Sequence, residues 1–151
     1  MAKTPKNRIM EGIGRQCFCL QSRMAARAVT RRYNSILAPI GLGVTEFSLL
    51  AALTLSEDLS ITGLADRLAF ERTTLVRNLK GMAARGLIKQ ADDQGRSVHY
   101  VLTTRGNHHL NAALPLWTKA QASIDRRLEG PTAGSVLKSL KALRRATNPR
   151  G

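Results

Sequence analysis

Acidic residues are scarce in this chain of 151 residues: 10 Asp and Glu stand against 24 Lys and Arg, for a formal charge of +14. The resulting pI near 11.2 is the footprint of a protein that meets a polyanion. Cysteine is nearly absent. Its two copies, Cys17 and Cys19, are too few to serve as a disulfide scaffold in a chain this long. Long apolar runs are missing as well: the longest, around Phe47 to Leu55, is far too short to span a bilayer. The opening MAKTPKNRIME is basic and lacks the apolar core of a secretory leader, so the expected setting is the reducing cytoplasm, with no membrane partner. There is no GxSxG, HExxH, P-loop or paired-carboxylate arrangement. The adjacent His108 and His109 diverge by about 100° on a helix, and no Cys/His cluster has metal spacing. No catalytic residue, metal or cofactor is therefore expected.

What the chain does have is a patterned centre. The segment ITGLADRLAFERTTLVRNLKGMAARGLIKQADDQGRSVHYVLTT, Ile61 to Thr104, reads as two helices joined by a short turn, then a strand, a tight turn and a second strand. Ser60 or Thr62 can cap the first of these helices, which runs to Leu68. The second opens at Glu71–Arg72 and places Leu75, Val76, Leu79, Met82 and Ala83 on one stripe. The opposite stripe, Thr73, Thr74, Arg77, Asn78 and Gly81, carries no acid. Such residues suit a major groove: Arg donates two bonds to guanine, Asn pairs with adenine, and a Thr methyl meets the thymine methyl. Gly86 fits the left-handed end of that helix. Leu87 to Ala91 and Ser97 to Thr103 then form a hairpin about Asp92-Asp93-Gln94-Gly95. Val98, Tyr100 and Leu102 take one side and Ser97, His99 and Thr103 the outward one, with Arg96 leaving the tip.

Around this centre lie helices with uncovered apolar stripes. A first helix is expected from about Arg8 to Leu37, with Ile9, Ile13, Cys17, Leu20, Met24 and Ala28 in line, ending near Pro39 and Gly41. A buried helix from Thr45 to Ser56 follows. After the hairpin come a helix from Thr104 to about Glu129, kinked at Pro115, and a last one from about Thr132 to Ala146. The charge excess belongs to these outer parts: residues 1–50 carry +6 and 104–151 carry +7, against +1 for 51–103. The predicted fold is mostly α with a small β-hairpin, a winged helix-turn-helix with dimerisation helices from both termini. Residues 1–151 are one domain, 44–103 the winged module, and 8–40 and 104–147 the dimerisation helices. Only Met1 to Arg8 and Thr147 to Gly151 read as frayed.

With GLGVTEFSLLAAL before the reading helix, ERTTLVRNLKGMAARGLI within it, a wing ending in LTTRG and long helices outside, residues 8 to 147 resemble MarR-family transcriptional regulators. The resemblance implies a triangular homodimer on a pseudo-palindromic operator in double-stranded DNA. Reading helices would enter successive major grooves and wing tips the minor groove, with repression relieved by a small molecule or by oxidation. It makes Thr73, Thr74 and Arg77 base-facing, Ser60 and Thr62 phosphate contacts, and Arg96 the wing arginine; Arg72, Asn78 and Lys80 complete the candidate DNA-binding set. One departure stands at the wing, where the family's Asp two residues before that arginine is Gln94, with Asp92 and Asp93 further back.

Cys17 and Cys19, treated as helical, point about 200° apart, which opposes a shared metal or a disulfide within one chain and leaves them to act separately or across a dimer. Similarity to hydroperoxide-sensing family members sets Cys19 at the reactive cysteine and Tyr33 at one assisting tyrosine. The other tyrosine positions hold Arg23 and Val44. Arg23 or Arg27 would lower a thiol pKa and burial would raise it; packing is the alternative role for both thiols. The family's aromatic-acid cleft would here be lined by Arg23, Arg27, Phe47 and Trp117. Two other classes fit parts of the pattern: an architectural DNA-coating protein, favoured by charge, and a peroxide-reactive thiol enzyme built on Cys19.

Overall fold

The computed structural model describes residues 4–55, 59–91 and 98–147. In chain order the helices are α1 (Pro5–Gln16), α2 (Phe18–Leu37), α3 (Val44–Leu55), α4 (Ile61–Leu68) and α5 (Arg72–Ala84). Strands β1 (Ile88–Gln90) and β2 (Tyr100–Leu102) follow, then α6 (Thr104–Asp125) and α7 (Ala133–Thr147). The strands pair antiparallel with Ile88 opposite Leu102, Lys89 opposite Val101 and Gln90 opposite Tyr100. The fold is mostly helical with one small hairpin, as the pattern of apolar spacing requires. Among the described residues, no single helix is long and apolar enough to cross a membrane.

The expected first helix is two helices. Cys17 takes an extended backbone, φ −72° and ψ 110°, and separates α1 from α2. The carbonyls that the break leaves open are answered locally: Cys17 N donates to Ile13 O at 3.2 Å and Gln21 Nε2 to Gly14 O at 2.7 Å. Gly12 and Gly14, each about 1 kcal/mol poorer than Ala in a helix, weaken the stretch just before the break. Since Cys17 is not helical, the opposed directions inferred for the two thiols do not apply.

The core lies in the centre. Leu49, Leu50 and Leu53 of α3, Leu64 of α4, Leu75, Leu79 and Met82 of α5, then Leu87 and Ile88, pack with Leu37 at the end of α2 and Leu110 and Ala113 of α6. Each such leucine stabilises the fold by about 1.5–3 kcal/mol relative to exposure. In α3, whose burial was expected throughout, the last two positions break the pattern: Thr54 and Leu55 are exposed. Of the hairpin's apolar side, Tyr100 and Leu102 pack against this core, while Val98 stays exposed. The outer helices differ. Neither α1 nor α7 buries a single residue, and Ile9, Ile13, Phe18, Met24, Leu137 and Leu140 all stand in solvent. α6 continues through Pro115 and ends at Asp125, four residues before the expected Glu129.

Candidate nucleic-acid interface

α4 and α5 form the helix-turn-helix. Ser60 opens α4, its Oγ accepting from Gly63 N at 3.1 Å, so that of the two capping candidates Ser60 is the cap and Thr62 lies exposed in the first turn. α4 closes on Ala69 in the left-handed region, φ 54°, with Phe70 N reaching back to Ala65 O at 2.9 Å. This closure turns the chain sharply enough to start α5 three residues later, and it imposes a conformation that costs an alanine about 1–2 kcal/mol.

Leu75, Leu79 and Met82 seat α5 on the core, which leaves Arg72, Thr73, Arg77, Lys80 and Gly81 exposed and Thr74, Val76 and Asn78 half-buried. Of the stripe expected to point outward, Thr73, Arg77 and Gly81 are therefore open, whereas Thr74 and Asn78 lie half-buried at its margin. Glu71, which stands immediately before α5, caps no backbone amide with its side chain. The wing is described only at its base. Arg96, with Asp92, Asp93, Gln94, Gly95 and Ser97, lies outside the described residues. His99 departs from the outward position expected of it: its ring is half-buried, and its Nδ1 is shut from solvent with no hydrogen-bond partner among the described residues.

The exit of α5 holds residues that sequence reasoning missed. Arg85 Nη1 binds Glu46 Oε1, and its Nη2 donates to Gly41 O at 2.6 Å. On the other side, Thr103 Oγ1 donates to Gly86 O at 2.6 Å and Thr103 N to Leu87 O at 3.1 Å, while Thr103 Oγ1 also caps α6 by accepting from Gly106 N at 3.0 Å. A Cβ on Gly106 would stand 1.9 Å from Leu87 O, so only glycine lets α6 sit on that backbone. The single available signal was the Gly in LTTRG, since the partners lie 16 or more residues away in sequence.

The candidate switch residues are dispersed. Cys19 is exposed and Cys17 half-buried, both free thiols. Tyr33 is buried, its hydroxyl donating to Gln121 Oε1, and burial pushes its phenol pKa up. It stands fourteen residues from Cys19 along the same helix, about 21 Å at 1.5 Å per residue, so the two cannot meet within one chain. Phe47 and Trp117 stack on each other, centroids 6.4 Å apart and planes at 26°, joining α3 to α6. Arg23 and Arg27 are exposed on α2. A separate cavity of about 540 Å³ lies between α2, α6 and α7, walled by Val29, Tyr33, Ile124, Val136 and Leu140 among others.

Comparison with known proteins agrees with this geometry. A family model described as MarR family matches residues 40–97. No curated protein sequence matches the chain. Among solved structures, the transcriptional regulator MosR of M. tuberculosis is 36% identical, with a TM-score of 0.79 over 88% of this chain and 96% of that one. The same regulator in complex with DNA is 35% identical, with a TM-score of 0.79 over 87% and 96%. The transcriptional repressor CouR bound to p-coumaroyl-CoA shares the fold at 24% identity, with a TM-score of 0.79 over 89% and 96%. A helix-turn-helix with an open basic face, a wing, two long flanking arms and a relative this close over nearly the whole length together make the chain a member of the MarR family of DNA-binding transcriptional regulators.

Proposed function

We propose that the chain works as a homodimeric repressor that reads a pseudo-palindromic operator with α5 in the major groove and the Arg96 wing in the minor groove. The observation that carries this reading is the open, acid-free face of Arg72, Thr73, Arg77 and Lys80, held rigidly by the three buried residues behind it. Arg77 supplies the bidentate donor to guanine, Thr73 and Thr74 the apolar and hydroxyl contacts, and Asn78 a contact at the margin. Ser60 and Thr62, at the start of α4, fit phosphates, since the Ser60 cap uses its oxygen as acceptor and keeps its proton to donate. The DNA-bound MosR relative supports duplex DNA as the partner. Selection of duplexes from a random pool by the purified protein tests the reading. Enrichment of an inverted repeat is the expected result, and recovery of unrelated duplexes at equal, salt-dominated affinity is the result that would replace it with an architectural coat.

For the switch, the geometry favours thiol oxidation at Cys19. Its side chain is exposed beside the break at Cys17, in a helical arm whose apolar face needs a second subunit. A thiolate attacking a hydroperoxide yields a sulfenic acid and an alcohol, and the added oxygen or a subsequent disulfide alters the packing of the arm. Tyr33, fixed to Gln121, reaches no thiol of its own chain, so any assistance comes across the dimer. A small aromatic ligand is the second reading, supported by CouR and its bound acyl-CoA. Here Phe47 and Trp117 would have to part to admit it. Band shifts with cumene hydroperoxide, then dithiothreitol, separate the two. Native protein should release DNA and rebind, and Cys19→Ser should stay bound. A double Cys→Ser variant that still releases DNA on peroxide would exclude thiol sensing.

A further inference from the structure

The three residues that leave the reading helix, Arg85, Gly86 and Leu87, are held from two directions. From the side of α2, Asn34 Oδ1 accepts from Val44 N at 2.8 Å, tying the arm to the start of α3. Glu46 Oε2 accepts from Gly43 N at 2.9 Å, and its other oxygen binds Arg85 Nη1. Arg85 Nη2 closes the ring on Gly41 O, at the left-handed residue, φ 67°, where the arm turns. From the side of α6, Thr103 binds Gly86 O and Leu87 O, with Gly106 against Leu87. The guanidinium is thus engaged by a carboxylate and a carbonyl within the protein. As a partly exposed ion pair it contributes little to global stability. Its geometric effect is larger, because it fixes one end of a helix whose other end is free to enter a groove.

We propose that Glu46 and Arg85 are positioning residues for DNA reading: their clamp with the Gly41 carbonyl locks the exit of α5 to the turn between the long arm α2 and α3, which Asn34 ties to the arm, so that the distance between the two reading helices of a dimer follows the arms. Any rearrangement of the arms is then transmitted to α5 through this joint. The proposal rests on the reading of the chain as a sequence-specific dimer, and the test keeps the two apart.

The full-length protein is assayed on the inverted repeat that the native dimer selects from random duplexes, and on the same duplex with one base pair added or removed between half-sites. Glu46→Gln is the deciding variant, since it keeps the shape of the side chain. It also removes a negative charge from a protein bound to a polyanion, so electrostatics alone predicts equal or tighter binding to every duplex. Loss of positioning predicts the opposite sign: about 2- to 30-fold weaker binding to the selected repeat, a smaller penalty for the altered spacers, and an unchanged melting temperature and sedimentation coefficient. Arg85→Met should behave alike and Arg85→Lys should retain part of the discrimination; if Arg85→Met does not fold, Glu46→Gln decides alone. Native affinity and native spacer preference in Glu46→Gln would overturn the proposal while leaving the dimer reading intact. A native protein indifferent to spacer length would overturn that reading, and the proposal with it.

Discussion

The centre of this molecule and its outer helices were built to different specifications. The centre, residues 51–103, is nearly neutral at +1 and holds leucines such as Leu64, Leu75 and Leu79 at 1% exposure or less. The flanks carry +6 and +7, and α1 and α7 bury nothing, with Ile9 66% and Leu140 51% exposed. On the proposed reading, base recognition depends on a few side chains placed by a finished core, whereas long-range attraction to DNA comes from helices whose own core is unfinished. Phosphate attraction needs charge without fine placement, while base contacts need placement more than charge.

The largest test breaks the contrast at α7. Leu140→Asp puts a charge on an apolar stripe that the chain leaves open, and sedimentation should then show a monomer, with operator binding lost. A native chain that sediments as a stable folded monomer at micromolar concentration would show that the flanks need no partner. The next reaches the seam between the regions. Gly106→Ala drives a methyl into Leu87 O and should destabilise the fold by about 3 kcal/mol in chemical denaturation. An unchanged denaturation midpoint would mean that α6 and the α5 exit are not tightly joined.

Arg77→Ala sharpens the contrast within the centre, costing about 1–3 kcal/mol on the selected operator and relaxing base choice in competition binding. An equal loss on random DNA would move Arg77 into the steering class with the flanks. The smallest effect is expected at the turn: Ala69→Gly relieves the left-handed strain and should raise stability by at most about 1 kcal/mol, read as a shift in melting temperature. A lowered melting temperature would mean that the Ala69 methyl makes contacts outweighing its strain.

Much of the reading module was legible because its signals are local. Leu75, Leu79 and Met82 recur at helical spacing, Ser60 stands directly before a helix start, and Tyr100 and Leu102 alternate in a strand of period two. Those spacings follow from 3.6 and 2 residues per repeat, whatever the rest of the chain does. The break at Cys17 was less legible, since neither proline nor glycine occupies it; the weak signals were Gly12 and Gly14 just before. His99 was misplaced because alternation says which side of a hairpin a residue takes, not what covers that side.

By itself, then, the sequence determined the helix-turn-helix, the exposure of Thr73 and Arg77 on α5 and the uncovered stripes on the arms, all of them consequences of residue types at fixed spacings along one element. Only the tertiary structure decided that Arg85 answers Glu46 and Gly41, that Thr103 and Gly106 clasp Leu87, and that Phe47 meets Trp117. Those pairings join residues 16 to 70 positions apart. Their partners are chosen by how the elements close on a shared core, a condition that no local run of sequence encodes.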